Sequence, residues 1–381
     1  MDTSGILDRI PSAIRQKATA EQWNDYAWQL SHSFTTVDQL ENVLDLSDEE
    51  RHAFDLASHR LALRITPYFL SLVDAHDRSD PLRLQVIPRM GEMVVGAEEM
   101  EDPCGEDRDM VVPGLVHRYP DRVLLLCTNH CAGYCRYCTR SRMVSGAGGR
   151  RLRTDWKRAF QYIREHGEVR DVLLSGGDPL LLPDARLDSI LTELQGIPHV
   201  EFLRVGSRVP IFLPQRVTEA LCAMLRRHAP LFLSVHVNHP RELAPEAEAA
   251  LARLADHGLP VGSQSVLLRG INDTLEIQRT LYHRLLRCRV RPYYLYQCDL
   301  IRGSRHFRTT IDTGLDIMRR LRGFTSGYAL PQYVVDAPGG GGKVPLNPEY
   351  ITARDEKTIR LINFSGRSYI YPNESFDSSF R

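Results

Sequence analysis

Lysine is nearly missing from this chain. Of its 48 basic residues only Lys17, Lys157, Lys343 and Lys357 are lysines, and the rest are arginines. A GC-rich genome accounts for such a bias. A position that keeps an ammonium against it is worth following, and Lys343 sits in an unusual setting. Cysteine is sparse too, with eight in 381 residues, and the opening Met1-Asp2-Thr3-Ser4 does not read as a signal peptide. A disulfide framework is therefore not expected, and free thiols point to a reducing cytoplasm. Charge of one sign is not in excess: 48 basic residues balance 48 acidic ones, and the pI is about 7.2. No electrostatic case exists for nucleic acid or an anionic membrane as partner. No apolar run reaches the roughly 18 residues needed to cross a bilayer. An apolar fraction of 43% with 25% charged residues is that of a globular protein of one large or two ordinary domains.

The cysteines that are there fall at one telling spacing, Cys131-Ala-Gly-Tyr-Cys135-Arg-Tyr-Cys138. Three thiolates on one short loop can hold three irons of a [4Fe–4S] cluster and leave the fourth iron open to another ligand. A structural zinc site and incidental buried thiols are the alternatives. Zinc sites usually take four ligands in paired spacing, and the nearby Cys127 and His130 lie out of that rhythm.

Residues 1–95 read as helical, with acidic helix starts in Ala20–Leu30 and Ser47–Phe54. From about residue 122 the pattern changes. Short β-rich runs at 123–127, 169–174, 200–205, 231–237, 261–268 and 290–296 alternate with amphipathic segments near 154–166, 183–195, 214–228, 244–258, 274–288 and 309–322. Such βα units in series imply a parallel sheet with right-handed crossovers. The expected fold is α/β: a partial (β/α)6 TIM-like barrel with an N-terminal helical region and a C-terminal Gly-rich loop plus β-hairpin. Polar residues cluster directly after the strands, at the carboxyl ends where barrel enzymes place their sites. The cysteine loop, Ser175-Gly176-Gly177-Asp178, Gly206-Ser207-Arg208, His236 with Asn238, Gln264, and Gln297-Cys298-Asp299 all fit that placement.

The second constellation is Asp336-Ala-Pro-Gly-Gly-Gly-Gly-Lys343-Val-Pro. Consecutive glycines let backbone N–H groups approach a ligand closely. The Walker A reading fails, since Val344-Pro345 follows the lysine where a hydroxyl residue and a helix are needed. A flexible linker is the plain alternative. A lysine that binds pyridoxal phosphate covalently suits the retained ammonium better. The run His117-Arg118-Tyr119-Pro120-Asp121-Arg122 would supply phosphate partners near the same rim, or is a solvated turn.

Together CAGYCRYCTR, DVLLSGGDPLLL, GSRVPIFLPQR, SVHVNHP, QSVLLRGIND, RPYYLYQCDL and VVDAPGGGGK resemble the lysine 2,3-aminomutase family over roughly residues 85–375. Its members are radical S-adenosylmethionine enzymes that also carry pyridoxal 5′-phosphate. The resemblance implies that Cys131, Cys135 and Cys138 bind the [4Fe–4S] cluster. It implies S-adenosylmethionine contacts from Ser175, Gly176, Gly177, Asp178, His236 and Gln264. Lys343 matches the lysine that carries pyridoxal phosphate, with Arg118, Tyr119 and Arg122 as further contacts. Arg140 matches the clamp on the substrate α-carboxylate, a role that suits a guanidinium. The chemistry implied is reductive cleavage of S-adenosylmethionine, hydrogen removal from Cβ, and migration of the amino group to that carbon. Implied partners are a small amino acid, an external one-electron reductant and further copies of the chain in a homo-oligomer. The divisions expected are 1–95, 96–325 and 326–381, for the helical region, the radical SAM barrel and the lysine-bearing segment with its hairpin.

Substrate choice rests on Asp299 and Asp336, which match the aspartates that hold the distal ammonium in lysine-using relatives. Two facing buried carboxylates repel unless a cation sits between them. L-Lysine to L-β-lysine is the first expectation and L-arginine to L-β-arginine the second. A relative that isomerises a lysine on a translation factor, and a non-catalytic iron–sulfur protein, are the remaining readings. Tyr137 stands where lysine enzymes often have histidine, Ser141 interrupts a common arginine run, and no cysteine follows Cys298 to form the zinc-binding tail of longer members.

Overall fold

Alternating Val and Leu side chains, flanked by capped helices, set the framework. The structure, a computed structural model, describes residues 18–57, 60–145 and 152–373. Six parallel strands carry the βα rhythm: β3 (Arg122–Thr128), β4 (Asp171–Gly176), β5 (Phe202–Ser207), β6 (Leu231–His236), β7 (Val261–Leu267) and β8 (Arg291–Gln297). Their helix-facing residues, among them Leu125, Val172, Leu174, Val205, Val235 and Leu295, are buried in one core with the helices. Helices Trp156–Glu165, Glu219–Arg226, Leu275–Arg287 and Ile311–Leu321 begin at Asp155, Thr218, Thr274 and Thr310. Each of these side chains accepts a hydrogen bond from an amide in the first turn, which satisfies one of the orphan donors there. The helices lay faces such as Leu187, Ile190, Leu191 and Leu194 into the same core.

The sheet is larger than the six expected strands. It has ten, in chain order. β1 (Met110–Val112) and β2 (Leu115–Tyr119) add antiparallel ahead of β3. β9 (Gln332–Ala337) lies parallel to β8, and β10 (Gly342–Pro345) folds back on β9. The expected Gly-rich loop is thus the tip of a hairpin that continues the main sheet. Periodicity missed it because β9 does not alternate in burial and β10 is half glycine and proline. The hairpin expected near 358–371 is present as Thr358–Ile362 and Ser368–Pro372, with Ile351–Arg354 as a third strand.

The two edges of the sheet are joined by side chains and loops. Arg108 donates to the carbonyls of Gly339 and Gly340 at 2.8 and 3.2 Å. The Gly339 N–H donates to Pro103 O at 3.1 Å, and the Lys343 N–H to Tyr119 Oη at 2.9 Å. Gly105 has φ 64°, and a Cβ there would lie 2.9 Å from Gly340 Cα. Only glycine lets these two loops touch.

Of the expected helical region 1–95, residues 1–17 and 58–59 lie outside the described residues, and the rest forms short helices such as Ala20–Asn24, Tyr26–Ser31 and Asp48–Ala57. Residues 60–92 form the back wall of the cysteine loop. Arg136 is buried within that loop. It binds Glu92 through Nε and Nη2 at 2.8 and 2.7 Å, and its N–H donates to Gln85 O at 2.9 Å.

Candidate active site

Every residue to which the resemblance gives a site role lines one cavity of about 610 Å3 at the carboxyl ends of the strands, while Asn238, Gln297 and Cys298 lie outside its lining. Cys131, Cys135 and Cys138 form one end; Lys343, Asp336 and Asp299 form the other.

The three thiols of the first end are free. Burial pushes the Cys138 thiol up to about 11, with a further push from Cys135, and Cys131 is raised by burial and by Cys138. Two thiols raised in this way ionise against a bound cation, which an iron cluster would supply. Among the described residues, the one acid, thiol or imidazole trio whose ligand atoms lie within 4.8 Å of one another is Cys104, Asp299 and Asp336. The loop cysteines are spread more widely, as several irons require and a single ion does not.

The SGGD turn is docked on the approach to this loop. Gly177 N–H donates to Thr128 O at 2.5 Å and Asp178 N–H to His130 O at 2.8 Å. A Cβ on Gly177 would lie 2.3 Å from His130 O, so a side chain there would push the two segments apart. The Asp178 carboxylate is fully engaged. It accepts from Ser207 Oγ at 2.7 Å, from the amides of Arg208 and Val209 at 2.7 and 3.0 Å, and from Leu180 N–H at 3.1 Å. Burial pushes it up to about 6 against the pull of these hydrogen bonds. Its side chain therefore ties the turn after β4 to the turn after β5, and what the turn offers the cavity is backbone.

Tyr137 is the hub behind the cysteines. Its hydroxyl lies 2.7 Å from Arg208 Nη1, 2.5 Å from Asn238 Nδ2, and 3.2 Å from both Gln85 Oε1 and His236 Nε2. His236 is held neutral by burial and by the Arg208 charge. Gln264 Oε1 accepts from Tyr296 Oη at 3.2 Å.

Arg140 is paired rather than free. Glu106 takes its Nε and Nη2 edge at 2.6–3.0 Å, while Nη1 donates to Ser175 Oγ at 3.1 Å. Burial opposes ionisation of Glu106, but Arg140 outweighs it and keeps the carboxyl below the ordinary range. One edge of the fork is thus anchored and the other is directed to the cavity.

At the far end Lys343 Nζ lies 3.1 and 3.2 Å from the Asp336 oxygens and 5.2 Å from the Tyr296 ring centre. Burial, then Asp336, pushes Asp299 up to about 7. Cys104 completes this corner. Its thiol is raised by burial and by Asp299, Glu106 and Asp336, so it stays protonated. Arg118, Arg122 and Arg204 line the wall beside Lys343. Asp109 holds Arg118 at 2.7 Å, and Arg122 lies 4.0 Å over the Tyr119 ring.

Glu106, Cys104 and Tyr296 were not foreseen as site residues, and Arg208 was placed at the rim without a role. Arg208 alone carried a signal, standing directly after a strand in GSR. The others depend on contacts across the closed sheet.

Comparison with known proteins follows the same division of the chain. The radical SAM superfamily model matches residues 125–280, and the lysine-2,3-aminomutase model matches residues 318–379. An L-lysine 2,3-aminomutase of Fusobacterium nucleatum is 48% identical over 91% of this chain and 82% of its own length. One from Clostridium subterminale is 48% identical over 90% of this chain and 83% of its own. A glutamate 2,3-aminomutase of Clostridioides difficile is 41% identical over 92% of this chain and 82% of its own.

Proposed function

Because the chain belongs to the lysine 2,3-aminomutase family of radical S-adenosylmethionine enzymes, we propose that it converts L-lysine to L-β-lysine with pyridoxal phosphate on Lys343. It is a radical S-adenosylmethionine aminomutase, and its superfamily implies a [4Fe–4S] cluster. The observation that carries the substrate is the acidic corner. Asp299, Asp336 and the Cys104 thiol converge within 4.8 Å, and a carboxylate driven up to about 7 there is relieved by a bound cation.

Bound, the cluster with S-adenosylmethionine supplies hydrogen-atom chemistry at Cβ, and pyridoxal phosphate supplies the carbonyl that holds the migrating nitrogen. The chain's own residues orient and shield. Cys131, Cys135 and Cys138 hold the cluster, and the backbone of Ser175–Gly177, with His236 and Gln264, receives S-adenosylmethionine. Neutral His236 donates or accepts a hydrogen bond without adding charge. Arg118, Tyr119 and Arg122 receive the phosphate. Arg140, steadied by Glu106, turns its open edge to the α-carboxylate. Asp299 and Asp336 receive the distal ammonium, which fixes Cβ between the two ends of the cavity.

A guanidinium pairs with two carboxylates as well as an ammonium does, so L-arginine is the second reading. The test is an anaerobic assay of reconstituted enzyme with lysine, arginine and glutamate, with products read by mass spectrometry. Conversion of lysine to β-lysine is expected. Turnover of glutamate with none of lysine would overturn the cation reading.

A further inference from the structure

Arg208 is the cavity residue whose chemistry the reaction above leaves unused. It is 7% exposed and follows β5 directly. Its Nη1 lies 2.7 Å from Cys135 Sγ and 2.7 Å from Tyr137 Oη. Its Nη2 lies 2.6 Å from Gln85 Oε1 and 3.2 Å from Glu242 Oε1. The guanidinium carbon is 4.2 Å from the centre of the Phe212 ring.

A buried permanent cation is costly unless it is paired. Arg208 touches one carboxylate, Glu242, and burial pushes that carboxyl up against the pull of Arg208. Glu242 is also shared with Gln85 Nε2 at 2.8 Å and Asn238 N–H at 3.1 Å. Burial holds the Tyr137 phenol protonated, so the remaining neighbour able to carry negative charge is the Cys135 sulfur. Tyr137, Gln85 and Glu242 together fix the fork, so the N–H aimed at sulfur cannot swing away without orphaning its partners.

We infer that Arg208 donates a charge-assisted hydrogen bond to the Cys135 thiolate and raises the reduction potential of the cluster. The inference rests on the assignment of the three cysteines as cluster ligands. One electron passes from an external one-electron donor to the cluster; the donor is oxidised and the cluster reduced. The reduced cubane carries one more negative charge than the oxidised one. A fixed positive charge and an N–H···S bond therefore stabilise the reduced form more. No proton moves, because a guanidinium keeps its proton in both states. Net charge and hydrogen bonds to sulfur are the levers by which proteins set such potentials.

The test is anaerobic spectroelectrochemistry of the reconstituted holoenzyme and of Arg208→Lys and Arg208→Gln, without S-adenosylmethionine, with iron and sulfide content measured in parallel. The potential should fall from wild type to the lysine variant and further to the glutamine variant at full iron content. The fraction of cluster reduced by a fixed excess of dithionite should drop several-fold. An Arg208→Gln protein with wild-type iron content and an unchanged potential overturns the inference. A second measurement needs no variant. Wild-type holoenzyme carrying 15N-guanidino arginine should show a nitrogen coupling to the reduced cluster by pulsed EPR, and absence of that coupling overturns it too. A wild-type chain that binds no cubane would instead remove the cysteine assignment itself, which the iron analysis reads separately.

Discussion

The two ends of the cavity are built in opposite ways. The cysteine end is local and rigid: three thiols within eight residues, backed by buried Arg136, Tyr137 and Arg208. The lysine end is assembled from parts far apart in the chain. Residues 102–122 meet residues 336–343 through carbonyls, one phenol and two opposed glycines. On the proposed function, the cysteine end needs fixed geometry because a cluster tolerates little displacement of its ligands, and the lysine end exchanges one amino acid for another at every turnover. A polar, half-open corner closed by glycines suits that task.

The sharpest way to break this contrast is to remove one thiol. Cys135→Ala should lose the cluster and abolish S-adenosylmethionine cleavage; cleavage at full cluster content would show that the rigid end is not where the cluster sits. Lys343→Ala should strike the other end alone. It should keep its iron, lose borohydride-trappable pyridoxal attachment and lose turnover, and a parallel loss of iron would mean the two ends are not separable. Asp336→Asn is milder. Removing one partner of a close charge pair typically costs about 2–5 kcal/mol, so KM for the cationic amino acid should rise about 30-fold or more, with S-adenosylmethionine affinity unchanged. An equal effect on both ligands would undo the division.

The acidic corner also titrates. Asp299, pushed up to about 7 by burial and Asp336, must be ionised to hold a cation. A bound cation favours the ionised form. Binding should therefore strengthen as pH rises through about 7 and weaken below it. A pH profile of kcat/KM should fall by about tenfold per pH unit on the acid side, and Asp299→Asn should flatten that limb. The smallest effect is expected at the seam. Tyr119→Phe leaves one edge amide without its partner, a loss of about 1 kcal/mol and a Tm lower by about 2 °C. A much larger drop would mean that the seam, rather than the core, sets stability.

What could be read in the sequence follows the same contrast. The cysteine spacing and the βα rhythm are local signals, and β3 to β8 appear within a few residues of the expected runs. β9 and β10 were hidden because a strand without alternation followed by glycines carries no periodicity. Glu106 and Cys104 were hidden because nothing in EDPCGED marks which residue meets Arg140 or the aspartates once the sheet has curled. Arg208 stood in view, but its contact with Cys135 joins residues 73 positions apart. Asp178 was assigned by motif to S-adenosylmethionine, yet its carboxylate is spent on the neighbouring turn.

β10 ends the sheet, and a terminal strand with free outward amides invites a foreign chain to pair with it. Along β10 the pairing with β9 turns every second amide outward. One of these, on Lys343, is taken by the Tyr119 phenol. The next position outward is Pro345, which has no N–H to offer. The strand that carries Lys343 therefore presents no donor along its outer side, and this border of the molecule is protected against fibre-like stacking.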